Sequence, residues 1–375
     1  MTTPGFDPYA TALQLLTSDA PASIMDVPQD WPRWAVLLPH ALAITDLPLP
    51  GQAGEQMAAN YSWLLDRAAT YLQVHGRLGE ARPLAQRAVA ITEATYGRDH
   101  PAVSTHLSNL ALILQDLGDL REARVLAERA LTIAEASFDR DDPAVAIRLS
   151  NLATILQDLG ELPEARSLCE RALAIDEAAF DRDDPAVAIR LSNLATILQN
   201  LGELPEARVL SERALAIDEA AYDRDHPTVG IRLSNFALIL RDLGELPEAR
   251  SLCERALAIA EAAYGRDHPT VAIRLNNLAL IRQGLGELPE ARSLCERALA
   301  IDEAAYDRDH PTVAVRLHNL ATILRDLGDL SEARALSARA MAIAEATLGP
   351  DHPTTRIVRR NLEWTGHLLA EKESM

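Results

Sequence analysis

Residues 148–157, RLSNLATILQ, return unchanged at 190–199. An asparagine sits in the middle of what otherwise reads as a leucine-rich helix, although its amide competes for backbone hydrogen bonds and makes it a mediocre helix former. It recurs at Asn109, Asn151, Asn193, Asn235, Asn277, Asn319 and Asn361, a constant step of 42 residues. Pro101, Pro143, Pro185, Pro227, Pro269, Pro311 and Pro353 keep the same step, and residues 143–184 differ from 185–226 at only five of 42 positions. That degree of identity marks a recent duplication, and self-similarity at such a period marks a stacked repeat architecture.

Each repeat opens on Asp-Pro or His-Pro, with proline suited to the first helical turn and the residue before it to the cap. A helix of about four turns then runs to DLGEL, where Gly160 and its equivalents break it. Pro163 starts a second helix, PEARSLCERALAIDEAAF, and DRD leads into the next repeat. A helix-turn-helix of this size cannot bury its apolar face alone, so the repeats must stack. Six clear repeats span 101–352; a degenerate one fills 59–100, with Arg67 where Asn is expected and GEAR still in register. The expected organisation is an N-terminal helical cap at 1–58, seven repeats at 59–352, and a C-terminal capping helix and tail at 353–375. Trp364 and Leu368 would cover the end of the stack.

Ala153 on the first helix and Ala165 and Ala172 on the second let paired helices approach closely. Their spacing resembles the tetratricopeptide repeat (TPR). The 42-residue length, with NLA, ERALAI and the DHP opening, is similar to the long repeat of the kinesin light chain family, over about 59–370. The expected fold is therefore all-α, a right-handed helical-repeat solenoid of about seven helix-turn-helix units. The phrase WPRWAVLLPHALA, from Trp31, resembles the lead-in to repeat arrays of bacterial NB-ARC-type STAND ATPases, although no G-x-x-x-x-G-K-[ST] phosphate loop exists here.

At about 100° per residue, Leu149, Leu152, Ile155, Leu156 and Leu159 share one side of the first helix, while Ile147, Ser150, Asn151, Thr154 and Asp158 lie opposite. In TPR superhelices the first helix lines the concave surface, so the resemblance implies an asparagine ladder along an inner groove, contacting a cargo peptide. An asparagine amide offers both donor and acceptor, matching a peptide unit of an extended chain. The expected peptide-binding residues are Asn109, Asn151, Asn193, Asn235, Asn277 and Asn319, with Thr154 and Thr196 forming pockets. Variable groove positions add Asp158, Asn200, Asp242, Arg241 and Arg325. Read alongside Asn276 and His318, which replace Ser150 towards the C-terminus, they form a graded amide and acid surface suited to an extended peptide with some basic residues. The competing reading is that each asparagine satisfies a polar group of the neighbouring repeat and was copied for structural reasons.

Arg148, Arg190, Arg232, Arg274 and Arg316 flank the apolar stripe. Their stems would cover leucines while the guanidinium pairs with nearby acids; gripping a ligand carboxylate is the alternative. A net charge of −19 argues against a nucleic-acid backbone or an anionic membrane as partner. Cys169, Cys253 and Cys295 share one repeat position, too far apart for disulfides. No apolar run approaches a membrane span, and the start lacks a signal-peptide pattern, giving a cytoplasmic expectation. The DRDD and DRDH linkers lack the length of a calcium loop, and His226, His268, His310 and His352 are too dispersed for zinc. No catalytic residue, metal or cofactor is expected. The sequence reads as a non-enzymatic protein–protein interaction scaffold, monomer or homodimer, binding a protein or peptide segment in its groove. Its alternatives are the sensor half of a split STAND signalling system and an element that self-associates end to end.

Overall fold

The computed structural model describes residues 7–22, 24, 30–50, 54–306, 308–350 and 352–374. Among these there are seventeen α-helices and no strand. The chain divides into two compact units, residues 1–116 with 121–140, and 117–120 with 141–375.

The first unit contains α1 (Pro8–Asp19), α2 (Trp31–Asp46), α3 (Glu55–Val74), α4 (Leu78–Tyr96), α5 (Pro101–Asp116) and α6 (Leu120–Ser137). Its N-terminal part uses tryptophan, a residue that the six clear repeats lack. Trp34 is fully buried, stacks on Tyr71 at 6.0 Å and donates to the Pro21 carbonyl, while Trp31 donates to that of Ile24. Tyr61 of α3 donates to the Thr45 carbonyl at 2.6 Å. These bonds fix α2 on α3 and close the apolar end of the first helical pair.

The second unit runs α7 (Pro143–Leu159), α8 (Leu162–Ala179), α9 (Pro185–Leu201), α10 (Leu204–Ala221), α11 (Pro227–Asp242), α12 (Leu246–Tyr264), α13 (Pro269–Gly284), α14 (Leu288–Ala305), α15 (Pro311–Leu327), α16 (Leu330–Thr347) and α17 (Pro353–Ser374). Every first helix begins at the repeat proline. Asp142 and Asp184 cap α7 and α9 by accepting from Ala144 and Ala186 N–H. In α11, α13 and α15 the cap is a histidine, whose Nδ1 accepts from Thr228, Thr270 and Thr312 N–H. Gly160, Gly202 and Gly328 end their helices at φ of 82°, 84° and 89°, a left-handed conformation costly for any residue with a Cβ.

Where α7 packs on α8, Ala153 of the first helix and Ala165 and Ala172 of the second are fully buried, as are Leu149, Ile155 and Leu156. Successive first helices also pack on one another, α7 on α9, α9 on α11, α11 on α13 and α13 on α15; no successive pair of second helices packs comparably. The first-helix side is therefore the inner side of this stack. On the other side, long side chains span the wider gap. Arg213, Arg255, Arg297 and Arg339 each reach a glutamate of the preceding second helix, Glu177, Glu219, Glu261 and Glu303, at 2.5–2.6 Å.

The second unit also touches itself across 194 residues: His352 Nε2 meets the Asp158 carbonyl. His352 Nδ1 accepts from Thr354 N–H, which leaves the proton on Nε2 as donor. Beside this bond, a Cβ built on Gly160 would lie 2.8 Å from Pro353 Cγ. No helix among the described residues is long and apolar enough to cross a membrane.

Candidate partner-binding face

The inner face is built by the first helices, and its repeating feature is a hydrogen-bond ladder across their seams. Asn235 Nδ2 donates to Ser192 Oγ at 3.2 Å, Asn277 to Ser234 at 3.0 Å, Asn319 to Asn276 Oδ1 at 2.9 Å, and Asn361 to His318 Nε2 at 3.2 Å. In the first unit Asn109 reaches both Asp66 oxygens at 3.0 Å. Each bond spans 43 residues, joining the asparagine of one repeat to the residue just before the equivalent position of the preceding one, which is Arg67 in the degenerate repeat and asparagine elsewhere. Ser150, Ser192, Ser234 and Asn276 are thus buried inside the seam, not displayed in a groove. The change from serine to Asn276 and His318, read from sequence as ligand-facing drift, is a change of ladder acceptor. Ser150 Oγ has no hydrogen-bond partner, so Asn193 stands outside the ladder.

The asparagines themselves are half-buried, apart from buried Asn277, and the ladder uses one N–H of each. One turn earlier on the same face a row of isoleucines is exposed: Ile147 by 41%, Ile189 by 40% and Ile273 by 41%. Thr154 and Thr196 are half-buried, and their hydroxyls bond their own helix, to the Asn151 and Ser192 carbonyls. Asp158 and Asn200 are exposed. Asp242 accepts from Gln199 at 2.6 Å and pairs with Arg241 at 2.7 Å. Arg325 pairs with Asp326 and lies over the Trp364 ring at 4.1 Å. That stacking occupies one face of the guanidinium, while Trp364 stays 52% exposed and only partly covers the end of the stack.

Three of the flanking arginines find acids. Arg190 pairs with Asp176 at 2.8 Å, Arg232 with Asp218 at 2.8 Å and Arg316 with Asp302 at 2.7 Å, each pair more than nine-tenths buried between a second helix and the first helix that follows. Burial raises the Asp176 and Asp302 carboxyls above their ordinary range, against the pull of the guanidinium beside each. The 14-residue offset that brings them together is in the sequence but crosses a linker, so no helical period announces it. The three cysteines are free and buried, and burial pushes their thiols up to about 12, which leaves them unreactive near neutrality.

His318 carries a pH dependence. Burial, reinforced by the Arg325 charge, pulls its pKa down to about 4, and as a neutral ring it accepts from Asn361. The unfolded chain, with an ordinary histidine near ~6.5, binds a proton first as pH falls. Stability from this site is complete above pH ~6.5 and is lost progressively towards pH ~4, by about 2–3 kcal/mol. The His318→Ser variant, which carries the acceptor of earlier repeats, should show a flatter melting profile over that window. Parallel profiles for the two proteins would remove His318 as the cause.

The tetratricopeptide repeat family model matches residues 59–136, 144–220, 231–287, 273–345 and 316–374. The chain belongs to the tetratricopeptide repeat family, a protein-interaction fold that is generally non-catalytic. The matched segments begin at residue 59 and leave the N-terminal lead-in unassigned. Among solved structures, the chain is similar to the nearly identical TPR-like repeats of a kinesin light chain of Podosopora anserina. The identity is 26% over 56% of this chain and 99% of that one, with a TM-score of 0.44. BtubC (BKLC) from P. vanneervenii is 24% identical over 63% and 92% of the two chains, TM-score 0.46. A Rap protein complexed with competence and sporulation factor is 13% identical over 97% and 99%, with a TM-score of 0.59, which shows the shared fold. No curated protein matches the sequence.

Proposed function

We propose that this chain is an interaction scaffold whose inner first-helix face holds an extended segment of a partner protein. The observation that carries this reading is the row Ile147, Ile189 and Ile273, about two-fifths exposed at equivalent repeat positions one and two steps apart with half-buried Ile231 between the last two, each one turn before an asparagine of the same face. A regular apolar row beside amide groups suits an extended chain, with side chains on the isoleucines and peptide groups on the amide functions of Asn193, Asn235 and Asn277 that the ladder leaves unused. Each such hydrogen bond contributes about 0.5–1.5 kcal/mol, so several rungs must act together. The net charge of −19, with Asp158 exposed on this face, favours a segment with basic residues. A Rap protein of similar fold was solved in complex with competence and sporulation factor, which supports a binding role for such a fold.

The test is selection from a random peptide display library on the wild-type protein, repeated with Ile189→Glu and Ile273→Glu combined. Both positions are exposed, so the variant should melt as the wild type does. Selected peptides should bind the folded variant at least tenfold more weakly. Equal binding to both proteins would place the site elsewhere.

A further inference from the structure

The repeats act as internal controls for one another at the seam between a second helix and the first helix after it. Three seams hold the acid–arginine combinations Asp176 with Arg190, Asp218 with Arg232, and Asp302 with Arg316. The last seam has Ala344 and Val358, both buried and apolar. The seam between α12 and α13 breaks this matching. Position 260 is alanine while position 274 keeps the arginine. Arg274 is as buried as its paired equivalents, 7% exposed, yet no described residue gives it a hydrogen bond or an ion pair. Arg148, whose sequence counterpart is also an alanine, differs in being only half-buried.

A buried charge without a counter-charge is strongly destabilising, and arginine cannot escape by losing its proton. Burial works against the Arg274 charge; of its neighbours, only the Tyr264 hydroxyl and the Cys253 thiol act the other way, and burial pushes that thiol up to about 12. Relative to aspartate, alanine lacks one carboxylate group, and in three other seams that group is what the guanidinium binds.

We infer that the α12–α13 seam is a binding site for a small free carboxylate, of formate or acetate size, held by Arg274 in the place that Asp218 and Asp302 carboxylates fill in neighbouring repeats. The guanidinium accepts a carboxylate through its donor fork. At 7% exposure Arg274 lies too deep for a polypeptide segment, so the ligand assigned is a free monocarboxylate and not a partner's side chain. This site is separate from the inner face and does not depend on the partner-binding reading.

The experiment is thermal unfolding of the intact protein in increasing sodium formate, against sodium chloride at equal ionic strength. The wild-type midpoint should rise by a few degrees and saturate in formate, beyond any effect of chloride. Ala260→Asp supplies the missing carboxylate, so its midpoint should start higher and show no formate-specific rise. Arg274→Met, which removes the charge, should also lose the response. Coincident formate and chloride curves for the wild type, or an equal formate response in wild type and either variant, would overturn the assignment.

Discussion

Asp218→Ala should lower the stability of the protein by about 3–5 kcal/mol, the usual cost of leaving one partner of a buried ion pair without the other. Asp218 is fully buried, and its Oδ2 accepts from Arg232 Nε at 2.8 Å. The loss should far exceed that of Glu177→Ala, which removes a partly exposed partner of Arg213 on the outer side. The pair itself adds little net stability, because desolvation offsets much of its attraction; the penalty comes from the stranded guanidinium. Chemical denaturation at neutral pH gives the free energies. A loss below about 1 kcal/mol would mean that Arg232 reaches water once its partner is gone. Formate should return part of the loss, because the variant recreates at α10–α11 the combination found at α12–α13.

Gly160→Ala should cost about 2–4 kcal/mol, and Gly202→Ala about 1 kcal/mol. Both glycines end a first helix at nearly the same positive φ, 82° and 84°, so the backbone penalty is common to the two. They differ in their surroundings. A Cβ at Gly160 meets Pro353 Cγ at 2.8 Å, inside the shortest ordinary contact, whereas a Cβ at Gly202 has nothing within 4 Å. The excess at Gly160 therefore measures the long-range contact between α7's C-terminus and α17's start. Equal melting points for the two variants would show that this contact yields freely.

The periodic elements of this fold are legible from the sequence because the repeat supplies every signal several times. Proline at the start, glycine at the end and alanine at the helix contact place α7 and α8 to within a residue or two, and the same holds for the copies. The site was less legible for a definite physical reason. A helical wheel places Ser150 near Asn151 on the side away from the leucines, but it cannot say that the neighbouring first helix packs there. The seam buries Ser150, Ser192 and Ser234, and gives Asn235 and Asn277 their structural partners. Recurrence of Asn at 42 residues was visible; its bond at 43 residues needed the relative rotation of adjacent helices. Ile147 was placed on the correct side by the wheel, while its exposure followed from the stack alone.

The asparagine ladder also gives the array a direction. Every rung donates backwards, from an amide to an acceptor one repeat earlier, so a repeat carrying serine followed by asparagine fits between any two others of its kind. Duplication or deletion in the middle of the array leaves rungs of this kind matched, although the seam between the two copies that differ at five positions, with Ser150 and Asn193, lacks the bond. The same rule finds no acceptor on α17. A further helix of this kind docked there would present its asparagine to Arg360, which has donors only. The chain is thus an array whose length can change from within, while its last helix offers no acceptor for another rung.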